Sequence, residues 1–208
     1  MSTLKIIILI YLLLMLSGCS IAATKEKKVQ CENEYSKITE EVKTDILLNK
    51  HHEGLKERLA RLISNCPKHI GLKILMADVE VSNGNNISAL AYITKALEID
   101  PSNAEAIHVK GSILFMEGQN KEAIKLLKKS TQLDPTNIEY LVNLCSTLEA
   151  SGKYHEAVQS CTKGIRLSND GVYPVLYFLR GKAYESMGNV QDSKKDYLKA
   201  KELGFDMK

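Results

Sequence analysis

Residues 104–137 read AEAIHVKGSILFMEGQNKEAIKLLKKSTQLDPTN. Two apolar-periodic stretches of helical length flank Gly118, and Pro135 follows the second. Gly and Pro at such points are where a helix stops. The segment therefore reads as helix, turn, helix and tight link. The same punctuation recurs on either side at a 34-residue period: Gly84, Gly118 and Gly152; Ala89, Ala123 and Ala157; Glu98-Ile99-Asp100-Pro101 and Gln132-Leu133-Asp134-Pro135. A fixed period of this length marks a repeat architecture. The helix propensity of Ala accounts for an isolated Ala, but not for a shared register.

Outward from this segment, the units are 70–103, 104–137 and 138–171, then 174–207 after a two-residue insertion. Positions 8, 20 and 27 of each unit are small: Ala77, Ala89, Ala96; Gly111, Ala123, Ser130; Cys145, Ala157, Gly164; Gly181, Ser193, Ala200. Small residues let two helices approach, and Ile93, Leu127, Tyr184 and Tyr197 fill the adjoining space. Upstream, 36–69 reads as a degenerate helical hairpin with the apolar stripe Leu55, Leu59, Leu62 and Ile63, and Pro67 lies 34 residues before Pro101. There Lys43 and Leu55 stand where small residues are expected.

This spacing resembles the tetratricopeptide repeat, whose pattern has a small residue at position 8, Gly near 15, Ala at 20 and 27, and Pro at 32. Units 70–103 and 104–137 meet it almost fully. Asn169 and Phe205 replace the Pro in the later two. The resemblance implies an all-α fold, a right-handed α-solenoid of helix-turn-helix repeats. It also implies a concave groove lined by the first helix of each unit. By that likeness the partner-binding groove is formed by Ile74, Asp78, Val81, His108, Ser112, Phe115, Val142, Ser146, Phe178 and Lys182, with Glu149 and Glu185 also facing it. The carboxylate clamp of the family needs Lys at position 5; Ile74, His108, Val142 and Phe178 stand there, so that mode is absent. An apolar groove suits a segment anchored by apolar side chains.

The N-terminus has a different character. Lys5 precedes an apolar run from Ile6 to Leu16, too short for a bilayer span and suited to a signal peptide. Leu16-Ser17-Gly18-Cys19 then matches the lipobox of bacterial lipoproteins. The resemblance implies removal of residues 1–18, acylation (palmitate) of Cys19, and a tether over 19–35. Ser20, rather than Asp, after the Cys implies the outer membrane, periplasmic face. More than one acyl chain anchors a soluble domain stably. Processing removes one charged side chain, Lys5, and lowers the formal charge from +3 to +2.

Four cysteines remain: Cys31, Cys66, Cys145 and Cys161. An even number in an exported chain suggests disulfides, in any of three pairings. In an antiparallel pair turning near position 16, position 8 faces position 24, which favours Cys145–Cys161. Cys31 before the first helix of the 36–69 hairpin and Cys66 at the end of its second favour Cys31–Cys66. Free thiols, or zinc held with His51, His52 and His69, are the alternatives, although the spacings match no common zinc pattern.

Apolar residues make up 44% of the 208 and charged residues 25%, ordinary for a globular chain. The near balance of 28 basic and 25 acidic side chains argues against a nucleic-acid binder. Phosphate-loop, His-Glu-x-x-His and Gly-x-Ser-x-Gly motifs are missing, and the five His are scattered. No enzyme, cofactor or metal is expected. The combined expectation is a lipid-anchored periplasmic scaffold that binds protein partners, such as a secretin or pilus component, in assembly of an envelope machine. Pilus-assembly lipoproteins (pilotin-like or TadD-like) carry the same two features. The alternative is an NlpI-like adaptor for peptidoglycan hydrolases or a periplasmic protease.

Overall fold

The computed structural model describes residues 25–46, 53–168 and 173–206. Every regular element among them is helical. The chain divides into two compact bodies, Met1–Gly84 and Asn85–Lys208, so the boundary falls inside the unit 70–103.

The N-terminal body contains α1 (residues 25–46), α2 (Glu53–Asn65) and α3 (Ile70–Ser82). The helix is already formed at residue 25, within the stretch 19–35 expected to be a tether. Lys25 to Gln30 are polar apart from Val29, but the polar five are strong helix formers, and polarity alone breaks no helix. Cys31 accordingly sits within α1 instead of preceding it. It is bonded to Cys66, just beyond α2, with Cα atoms 6.0 Å apart. Ile38, Val42, Leu55 and Leu59 are buried along α1 and α2. Arg58 grips the Glu41 carboxylate with both guanidinium nitrogens, one at 3.2 Å. The ring of Tyr35 lies over Gly71, where an added Cβ would stand 2.7 Å from it. His69 caps α3, its Nδ1 accepting from the Leu72 amide at 3.2 Å.

The C-terminal body runs α4 (Asn86–Ile99), α5 (Ala104–Met116), α6 (Asn120–Leu133), α7 (Ile138–Ala150), α8 (Tyr154–Leu167), α9 (Pro174–Ser186) and α10 (Val190–Glu202). Within it α5 packs on α6, α7 on α8 and α9 on α10, and each pair packs on the next. Asn103 and Asn137 cap α5 and α7 by accepting from the amides of Ala106 and Tyr140. Gly118 and Gly152 close α5 and α7 at φ 75° and 73°, the left-handed region where a Cβ is penalised. The small positions are seams. A Cβ at Gly181 would lie 2.9 Å from the Tyr197 ring, and one at Gly164 would lie 2.8 Å from Leu176. Cys145 and Cys161 are bonded across α7 and α8, fully buried, with Cα atoms 5.5 Å apart. With both pairs bonded, neither the zinc set nor the free thiols remain.

The core of this body is built from Ile124, Leu127, Leu144, Leu148, Ile165, Leu176 and Leu179, with the Tyr177 ring. At its end, Phe205 packs on Phe178 (ring centroids 4.8 Å apart), occupying the place of the missing Pro. Arg180 makes a two-pronged ion pair with Asp196 (2.7 and 2.8 Å) and reaches the Thr162 hydroxyl at 3.0 Å, tying α9 to α10 and α8.

Candidate functional site

The groove positions fall in both bodies. Ile74, Asp78 and Val81 lie on α3 of the N-terminal body. Ile74 is buried at 2% exposure, so it is a core residue and not a contact surface. Asp78 and Val81 are half-buried. The remaining seven positions lie on α5, α7 and α9.

There the helices are cross-linked by their own groove side chains. His108 of α5 stacks on Tyr140 of α7, ring centroids 4.4 Å apart and nearly parallel. The amide Nδ2 of Asn143 donates to His108 Nε2 at 2.7 Å, which requires a neutral ring protonated on Nδ1. Burial enforces that state by pushing the imidazole down to about 4. His108 is therefore a seam residue, 7% exposed, not a freely presented contact. Tyr140 is held up to about 12, chiefly by burial and then by the carboxylates of Glu105, Asp134 and Glu139. Further along, Lys182 of α9 reaches Glu149 of α7 at 3.0 Å. The Ser112 hydroxyl is buried without a hydrogen-bond partner, and Ser146 is half-buried.

The apolar members are only partly available. Phe178 is flanked by Phe205 and, at 5.8 Å, by Tyr197. Val142 packs against the core, and Phe115 is half-buried. The surface that remains is narrower and more polar than the sequence suggests. Position 5 lies at the junction of neighbouring helices, where the adjacent helix decides how much of a side chain is left exposed. Sequence reading also missed Tyr140 as the ring against His108, and the Arg180–Asp196–Thr162 network. Their signal would have been polar residues at matching heights on successive helices.

Cys19, His51 and His52 lie outside the described residues. Among the described residues no group of three or more His, Cys, Asp or Glu could hold a metal. None of the described helices is long and apolar enough to cross a membrane.

Residues 175–203 match the family described as tetratricopeptide repeat, and residues 82–163 match anaphase-promoting complex, cyclosome, subunit 3. These matches and the paired helices support a tetratricopeptide-like helical-repeat fold. The chain's fold is shared with several solved structures. That of Pseudomonas aeruginosa pilF superposes with a TM-score of 0.72 at 17% identity, covering 85% of this chain and 79% of that one. The MamA protein gives 0.65 at 20% identity, over 83% and 91% of the two chains. YrrB, described as a tetratricopeptide protein with an unusual peptide-binding site, gives 0.62 at 16% identity, over 82% and 86%. No curated protein sequence matches the chain. Neither family description names an enzymatic activity. Tetratricopeptide repeats are in general protein-binding scaffolds, and this chain has the stacked helices of such a scaffold.

Proposed function

We propose that this tetratricopeptide chain is a scaffold held at the periplasmic face of a bacterial outer membrane by acyl chains on Cys19. There it binds a protein partner during assembly of an envelope machine such as a pilus or secretion apparatus. The observation that carries the reading is the pair of disulfides, Cys31–Cys66 and Cys145–Cys161. Bonds of this kind persist in oxidising compartments such as the periplasm and are rare in the cytosol. The lipobox Leu16-Ser17-Gly18-Cys19 supports a membrane anchor on the exported side. The likeness to pilF supports a pilus as the machine, and the likeness to YrrB supports a polypeptide as the ligand.

The test combines an anchor variant with a cross-linker. Cys19→Ser is expected to lose acyl labelling and move from the outer-membrane to the soluble fraction. A photo-cross-linker at Ser146 is expected to capture a secretin or pilus subunit. A Cys19→Ser protein that still fractionates with the membrane would contradict the anchor. Capture of a peptidoglycan hydrolase or protease would favour the adaptor reading over the pilus one.

A further inference from the structure

We propose that the exposed lysine face of α6 is the docking site for an acidic segment of a partner protein, a proposal that rests on the scaffold reading. Lys121, Lys125 and Lys129 recur at every fourth residue along α6, one ridge about 12 Å long. With Lys128 and Lys153 they line a depression of about 480 Å³, together with Ile124 and Gln132. No carboxylate lines it. Two stand nearby: Glu156 is shared by Lys128 and Lys153, and Glu122 lies 3.9 Å from Lys125. Lys121 and Lys129 have no carboxylate partner among the described residues.

The other large depression of this body, about 780 Å³ between α8 and α10, is different. It is also rich in cations, but Asp196 and Glu202 line it, pairing with Arg180 and Lys199. Four lysines of α6 with Lys153, beside Glu122 of α6 and Glu156 of α8, leave a field that an acidic ligand relieves.

Shape and apolar content decide between ligands. A bilayer surface reaches only the rim of a concavity. An interfacial helix also needs apolar side chains to insert, whereas Ala123, Ile124 and Leu127 of α6 are buried inward. A polypeptide can lower carboxylates onto the lysine ridge. Helical spacing of those carboxylates matches the spacing of Lys121, Lys125 and Lys129.

The full chain in non-ionic detergent tests this against a fluorescein-labelled helical peptide with Glu at every fourth residue, read by anisotropy. The Glu peptide is expected to bind, more weakly as salt rises, and its Gln counterpart is not. Lys121→Gln/Lys125→Gln/Lys129→Gln should weaken binding about tenfold or more, while Lys194→Gln/Lys195→Gln/Lys201→Gln should leave it unchanged. Equal losses in both triple variants, or none in the first, would overturn the proposal. So would retention on phosphatidylglycerol vesicles through the α6 lysines without peptide binding. The Ser146 cross-link is read in parallel. Its loss with peptide binding intact overturns the scaffold reading alone; its presence without peptide binding overturns this proposal alone.

Discussion

His108 shows how one side chain changes meaning between sequence and structure. At a groove position it reads as a polar contact for a partner. In the fold it is sealed by Tyr140 and Asn143, and its proton affinity falls to about 4. As pH drops below the ordinary imidazole value near 6.5, the unfolded chain takes up a proton that the folded ring refuses. Stability contributed by the neutral ring is therefore present above about 6.5 and is lost down to about 4, amounting to ~3 kcal/mol. Urea unfolding across this range, compared with His108→Gln, is expected to show the native chain losing stability relative to the variant as pH falls. Parallel curves would place His108 in contact with water. Burial of this kind is illegible in a single sequence, because it depends on the heights at which residues 108, 140 and 143 meet. The groove pattern says which helix face a residue occupies, but not whether the neighbouring helix covers it.

At the scale of the helix, punctuation was the legible part. α3, α5, α7 and α9 begin at Ile70, Ala104, Ile138 and Pro174, the residues where the 34-residue period starts each unit. Gly after the first helix and Pro after the second terminate helices by local sterics, so their positions survive any tertiary context. The start of α1 carries no such marker, and the sequence alone suggests a tether across 19–35 where the helix already runs from residue 25. Three ties between helices make separate predictions. Replacing Cys145 and Cys161 by Ser should cost about 3 kcal/mol by freeing the unfolded chain. Cys31–Cys66, the more exposed of the two and lining a surface depression, should open to mild thiol before the fully buried Cys145–Cys161. Peptide mapping of alkylated cysteines after graded reduction reads the order, and the reverse order would contradict it. Asp196→Asn leaves the half-buried Arg180 cation without its partner and should cost about 3 kcal/mol or more. Thermal unfolding of Asp196→Asn alongside Arg180→Met/Asp196→Leu checks this, since removing both charges should restore much of the loss.

For the whole molecule, the repeats and the N-terminal address are independent statements that happen to share a chain. On the proposed reading, the repeats would supply the surface that binds another protein, and the address would set where that surface is displayed. The disulfides join the two, since they favour an exported chain and also brace α1 to the end of α2 and α7 to α8. The most direct test of that union is the intact mass of the protein recovered from bacterial membranes, taken with and without reduction before alkylation. The expected mass lacks residues 1–18, carries acyl groups on the new N-terminal Cys19, and shows four thiols that alkylate only after reduction. A chain beginning at Met1 with Cys19 unmodified, or four thiols that alkylate without reduction, would contradict the account.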